Sequence, residues 1–276
     1  GSMGSEGRPF MEDLGQADAA NIGWVILGGV IFNASNILLS ASTSLAGLSV
    51  AFPLGVGLSL VIGTVVNYIG APKGNPVLLF AGIALIVVAI ICNGVASGKV
   101  QKEGADPKSN RKGLILAVCA GVLMAFFYRF VAKAMDLDNF EHPTPGMVTP
   151  YTAIFIFSLG VLLSNFIFNT FVMKKPFVGE PVTYKQYFGG SFKTHLVGIL
   201  GGAIWCLGTA FSYIAAGKAG AAISYALGQG APMVAAIWGV FIWKEFKGSD
   251  KKVNLLLGAM FLFFIAGLGF IIASGN

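Results

Sequence analysis

Apolar residues fall along this chain in eight long blocks, at roughly 19–41, 47–69, 76–97, 113–135, 148–173, 194–216, 220–243 and 253–273. A helix needs about 20 apolar residues to cross the hydrocarbon core of a bilayer, and each block has that length. Polar positions collect in the breaks. Gly70-Ala71-Pro72-Lys73-Gly74-Asn75-Pro76 reads as a tight reversal, and Lys99 to Lys112 as a charged loop. The pattern predicts an all-α polytopic membrane protein. Residues 1–18 form an external polar segment, 19–97 a set of three helices, 98–112 a basic loop, and 113–276 a set of five.

Composition points the same way. Only 11% of the residues are charged and the mean hydropathy is +0.78, whereas a soluble domain carries about a quarter charged residues. The 18 Lys and Arg exceed the 12 Asp and Glu, but the excess lies in short segments between blocks. Such placement marks membrane topology rather than a nucleic-acid face. Cys92, Cys119 and Cys206 lie inside apolar blocks without paired spacing, which argues against a disulfide framework or a zinc site. His142 and His195 are isolated. Gly94-Val95-Ala96-Ser97-Gly98-Lys99 lacks the spacing that cradles phosphate. No metal cluster or nucleophile–base motif is present either, so neither an enzyme nor a cofactor is expected.

Basic residues alternate between loops. Lys99, Lys102, Lys108, Arg111, Lys112, Lys174, Lys175, Lys185, Lys193, Lys244, Lys247, Lys251 and Lys252 fall on one side. Arg8, Lys73, Lys133 and Lys218 fall on the other, with Arg129 inside a helix near it. The first set is expected in the cytoplasm, which places both chain ends outside.

The chain also repeats. Moved by 173 positions, residues 28–69 lie on 201–242 without a gap, and ten of the 42 positions are identical. The matches include Gly28-Gly29 on Gly201-Gly202, Ala46-Gly47 on Ala219-Gly220, and Leu54-Gly55-x-Gly57 on Leu227-Gly228-x-Gly230. The loops before the two copies lie on opposite sides, so the repeat is inverted, an arrangement common among secondary transporters. Tandem inversion requires an odd number of helices per unit. The second unit has five, and the first is expected to lack its first two.

Polar groups inside spans are costly and therefore informative. Asn33, Asn36 and Ser40 share one helix face at i, i+3 and i+7, and the repeat carries them to Cys206, Thr209 and Tyr213. This stripe fits the wall of a central cavity, or hydrogen-bonding contacts between helices. Tyr225, Gln229 and Pro232 are placed on one face, with Gln229 flanked by Gly228 and Gly230. The Gln229 amide offers donors and an acceptor to a solute built of N–H and C=O groups, or to a neighbouring helix. Trp205 and Trp238 can stack on a flat ring, whereas Trp24 and Trp243 read as interfacial anchors. Asn165 and Asn169 suit the inner part of a path. Arg129 suits an outer vestibule, or snorkelling and pairing with Asp136 or Asp138. Glu245, beside Lys244, suits a cap or gate. No Asp or Glu lies inside any span, which disfavours carboxylate-coupled export of cationic drugs.

Three stretches carry a family resemblance. AAGKAGAAISYALGQGAPMVAAIWGVFIWKEFKGSDKKVNLLLGAMFLFF (215–264), NYIGAPKGNPVLLFAGIALIVVAII (67–91) and YTAIFIFSLGVLLSNFIFN (151–169) resemble plant ureide permeases and their bacterial relatives. These belong to the drug/metabolite transporter superfamily, whose plan is a five-plus-five inverted repeat. Two features are expected to depart from the plant proteins: the central loop reads as short, and the first two helices of the plan are expected to be missing from this sequence. The resemblance implies a secondary transporter in contact with lipid, placed in a bacterial inner membrane and working by alternating access. It implies an oxo-heterocyclic substrate such as allantoin, uracil or xanthine, with a proton or sodium ion as a coupling partner. A glucose/rhamnose-type sugar carrier, a multidrug exporter and a non-transporting scaffold are the alternatives.

Overall fold

A computed structural model describes residues 7–99, 107–140 and 142–275. Residues 1–6 of the polar segment, and Lys102 with the rest of 100–106 in the basic loop, lie outside the described residues. Eight helices among those described are long and apolar enough to cross a membrane. A backbone in lipid must satisfy its own hydrogen bonds, and a helix does so within one segment.

The spans are α2 (Ala19–Ala46), α3 (Leu48–Gly70), α4 (Pro76–Lys99), α5 (Pro107–Ala134), α6 (Pro150–Lys174), α8 (Phe192–Ala219), the pair α9 (Ala221–Gly228) and α10 (Ala231–Ile237), and α11 (Lys251–Ala273). Two shorter helices, α1 (Phe10–Gln16) and α7 (Tyr184–Phe188), lie outside them. The α2 helix runs past the expected end through Ser42-Thr43-Ser44. The Thr43 hydroxyl donates to the Leu39 carbonyl at 2.9 Å, and Ser42 to the Gly113 carbonyl at 2.7 Å. Hydroxyls that bond backbone carbonyls in this way can stay in a membrane helix. α7 starts from a capping box in which Thr183 and Gln186 satisfy each other's backbone N–H groups.

The chain divides into two compact units, residues 1–33 with 130–218 and residues 34–129 with 219–276. In the first, α2 crosses α6 at glycines. A Cβ on Gly29 would collide with the Phe157 carbonyl, and one on Gly160 would lie 2.6 Å from the Ile26 carbonyl oxygen. In the second, α4 crosses α11 in the same manner. A Cβ on Gly82 would meet the Gly267 oxygen at 2.6 Å, and one on Gly267 the Gly82 oxygen at 2.8 Å. Small residues allow such close approach, and with it the dispersion contacts that hold helices together in lipid. Leu60, Leu79, Ile86, Ile223, Met260 and Phe264 fill the core of this second unit.

The repeat is visible in local geometry. The bounds of α8 are those of α2 moved by 173 residues, and both helices are 28 residues long. Each ends at a glycine with nearly the same backbone, Gly47 at φ 86°, ψ 160° and Gly220 at φ 85°, ψ 158°. This region is essentially closed to other residues. Gly47→Ala and Gly220→Ala should therefore each destabilise the protein by about 1–3 kcal/mol, read as a lowered melting temperature in detergent. The equivalent positions Phe32 and Trp205 stack on each other with ring centroids 4.5 Å apart.

Sequence patterning missed the docking of the polar segment within the first unit. Asp13 of α1 is completely buried. Its carboxylate accepts hydrogen bonds from Arg8 Nη1 at 3.0 Å and from the Thr149 N–H and hydroxyl at 2.9 Å each. Gln16 joins the same turn, donating to the Met147 carbonyl at 2.9 Å and accepting from the Gly146 N–H at 2.7 Å. Thr149 is the N-cap of α6, so α1 is fastened to the start of a spanning helix.

Asp136 closes the turn that follows α5. Partial burial pushes its carboxyl up. The Thr144 hydroxyl and the N–H groups of Thr144, Asp138 and Asn139 outweigh this and hold it below the usual 3.8. A lowered carboxyl pKa gives stability that is fully present above the unfolded value and is lost as pH falls through the folded one. Asp136→Asn should accordingly flatten the fall in melting temperature below about pH 4, relative to the parent protein.

Candidate functional site

The seventh span is not a continuous helix. α9 stops at Gly228, Gln229 and Gly230 form a turn, and α10 resumes at Ala231 with Pro232 in its first turn. Pro232 has no N–H, so the Gly228 carbonyl lacks the donor that a continuous helix would supply four residues on. The equivalent stretch Gly55-Val56-Gly57 stays inside unbroken α3, where Ser59 stands in the place of Pro232. Proline is thus the local cause of the break. A π-helical turn, Trp238–Ile242, follows α10. It is capped by Trp243 and followed by Lys244, whose φ is 54°, and the Glu245 N–H donates back to the Gly239 carbonyl at 3.0 Å. Glu245 is half-buried within this helix-ending turn.

The break changes the expected common face of Tyr225, Gln229 and Pro232, because that spacing assumes an unbroken helix. Tyr225 turns inward and is 1% exposed. Its hydroxyl hydrogen-bonds the Ser59 hydroxyl and donates to the carbonyls of Ser59 at 3.1 Å and Met124 at 3.2 Å. The ring fills the place a Gly63 Cβ would occupy and packs edge-on against Tyr128 at 5.4 Å. Gln229 is half-exposed, and its side-chain amide has no hydrogen-bond partner among the described residues. Beyond the break, Pro53, Ile90, Pro232, Met233 and Phe264 line a wholly apolar crevice too narrow for a water molecule. Trp238 is 49% exposed at the start of the π turn. Arg129 lays its guanidinium over the Gly70 backbone and makes no hydrogen bond or ion pair among the described residues. Asn36 is exposed.

The first unit holds the remaining candidates. Asn33 is buried and donates to the Ser164 hydroxyl at 2.9 Å, bridging α2 to α6. Trp205 stacks on Phe32 and lies 6.1 Å from Phe157, against which Tyr213 packs edge-on at 6.0 Å. Trp205 and Tyr213 are therefore brought together around Phe157. The Thr209 hydroxyl donates to the Trp205 carbonyl within its own helix at 3.0 Å. Asn165 and Asn169 are half-buried on α6 with no hydrogen bond among the described residues. Trp24 is held between Phe130, stacked at 5.6 Å, and Lys133, whose Nζ lies 4.0 Å from the ring centroid.

Three polar positions escaped sequence reasoning. Ser59 and Ser164 are the partners of Tyr225 and Asn33, and a lone serine in an apolar block carries little signal. Asn67 is fully buried in α3; its Nδ2 donates to the Gly63 carbonyl at 2.8 Å and its Oδ1 has no partner among the described residues. Its position in a span was the available clue. No group of His, Cys, Asp and Glu among the described residues is arranged to hold a metal ion.

A membrane protein with eight spans among its described residues, one of them broken at Gln229, has the build of a metabolite transporter. The family model for ureide permeases matches residues 98–274, and the chain belongs to that family. Ureide permease 1 of Arabidopsis thaliana is 24% identical over all of this chain and 84% of its own length. The Glucose uptake protein GlcU of Bacillus subtilis (strain 168) is 23% identical over 86% of this chain and 74% of its own. An L-rhamnose-proton symporter of Pectobacterium atrosepticum is 29% identical over 57% of this chain and 46% of its own. No solved structure matches. The protein is an integral membrane transporter of small metabolites.

Proposed function

We propose that the chain carries a small, neutral oxo-heterocycle of the allantoin, uracil or xanthine class by alternating access. The unpartnered Gln229 amide at the helix break carries this reading. An amide there presents an acceptor oxygen beside donor N–H groups, the complement of a ring edge of alternating N–H and C=O. The Gly228 carbonyl, which accepts no hydrogen bond among the described residues, adds an acceptor for a ring N–H. The exposed face of Trp238, in the same unit, supplies flat apolar surface for such a ring. Family membership and the similarity to Ureide permease 1 support the same substrate class. The Lys- and Arg-rich loops face the cytoplasm of a bacterial inner membrane in this reading, and the two repeats have opposite orientation. A proton is the favoured coupling ion, supported by the L-rhamnose-proton symporter.

The similarity to the glucose uptake protein supports a second reading, in which the same groups bind a sugar. Uptake of labelled allantoin, uracil and glucose by vesicles separates the two. Saturable uptake of a heterocycle, in excess over glucose, is expected. Saturable glucose uptake alone would overturn the heterocycle reading.

A further inference from the structure

The connection between α6 and α8 turns its apolar side chains outward. Phe188 is 71% exposed and Phe192 80%, with Tyr184 and Tyr187 exposed beside them. The connections 71–75 and 135–149 expose no large apolar side chain among the described residues. The backbone under this patch is tied down. A capping box starts α7, the Val182 N–H donates to the Met173 carbonyl at 3.0 Å, and the Gly189 N–H to the Lys185 carbonyl at 2.9 Å. The rings also hold one another. Phe188 stacks on Tyr184 at 6.2 Å and meets Tyr187 edge-on at 5.2 Å, and the Tyr184 hydroxyl hydrogen-bonds Thr170 of α6. Water makes such a display costly, because the apolar surface stays unburied. α6 ends at Lys174 and α8 begins at Phe192, and both have spanning length, so the connection lies at a membrane surface. Aromatic rings are favoured at headgroup level. Charge is a second, separate feature. Lys174, Lys175, Lys185 and Lys193 are exposed against one acid, Glu180, and none of the four forms an ion pair among the described residues.

We propose that this connection is a docking surface for anionic phospholipid. Tyr187, Phe188 and Phe192 enter the headgroup layer, and Lys175, Lys185 and Lys193 meet the lipid phosphates beside them. Lipid is the occupant because the patch continues the exposed apolar sides of the two spans that flank it. Ile167 and Phe171 of α6, and Leu196 and Ile199 of α8, are each half-exposed or more. Zwitterionic lipid answers only the rings. An anionic headgroup layer matches both the rings and the unpaired lysines. The contact uses none of the residues assigned to the solute.

The test uses the full-length protein with Cys92, Cys119 and Cys206 replaced and a spin label attached at Phe188→Cys. It is placed in vesicles of phosphatidylcholine alone or mixed with phosphatidylglycerol. The label should meet dissolved oxygen more readily than a water-soluble nickel chelate, and phosphatidylglycerol should lower chelate access at least twofold. A label fully open to the chelate in both vesicles would overturn the proposal. So would a label shielded in native membranes alone, which would give the patch to a protein partner. The lysines are read separately, in detergent. Phosphatidylglycerol should raise the parental melting temperature more than phosphatidylcholine does. The triple variant Lys175→Gln, Lys185→Gln and Lys193→Gln should lose at least half of that gain, with its melting temperature before lipid addition at the parental value. No preference for phosphatidylglycerol, or an undiminished gain in the triple variant, would contradict the lysine contacts. Neither measurement depends on uptake, so a failed substrate assignment leaves both readable.

Discussion

Asp13→Ala is expected to destabilise the protein by about 3 kcal/mol, roughly a hundredfold in the folded-to-unfolded ratio. The carboxylate has no solvent exposure and receives three strong donors, from Arg8 and from the backbone and hydroxyl of Thr149. Removing it leaves the Arg8 guanidinium, itself only 14% exposed, without its counter-charge. It also strips the first turn of α6 of a second-layer acceptor. Breaking a buried ion pair from one side costs about 3–5 kcal/mol, and the residual exposure of Arg8 places this case at the lower end. Denaturant or thermal unfolding in detergent reads the effect. Thr149→Val, which removes a hydroxyl but leaves the charges paired, should cost less, about 1–2 kcal/mol. A loss below 1 kcal/mol for Asp13→Ala would show that α1 does not hold the start of α6.

Gln229→Leu should reduce saturable uptake at least tenfold while leaving membrane abundance near the parental level. The two side chains are similar in size, and Gln229 makes no side-chain hydrogen bond within the described protein, so the fold loses little. A transported heterocycle bound at Gln229 would lose one or two hydrogen bonds. Leaving its N–H and C=O groups unpaired costs about 1–3 kcal/mol, or roughly tenfold to a hundredfold. Tyr225→Phe acts in another way. It deletes the hydroxyl bonded to Ser59 and Met124 deep in the second unit, and should show first in stability.

Much of the fold was legible because lipid imposes one rule, internal satisfaction of the backbone, and length then decides. Helix ends were less so. α2 continues through Ser42-Thr43-Ser44 because hydroxyls can bond backbone carbonyls, which a hydropathy pattern reads as a polar break. The polar 1–18 segment hid α1, whose stability comes from long-range bonds to residues 143–149 rather than from any periodic face. At the site, Gln229 could be picked out from its flanking glycines, but the break it sits in depends on Pro232, three residues further on. Hydropathy averages over that proline. Tyr225 and Asn33 were found as polar groups in spans, but their partners Ser59 and Ser164 are defined only by how helices pack. The Phe32–Trp205 stack needed both the repeat, readable in sequence, and the coordinates that bring the two rings together.

The most direct measurement places a cysteine at position 229 in a background lacking Cys92, Cys119 and Cys206, and follows its alkylation in vesicles. If Gln229 lines the solute's path, allantoin or uracil at saturating concentration should slow the reaction at least fivefold. An unchanged rate in the presence of a solute that the parental protein demonstrably carries would contradict the assignment.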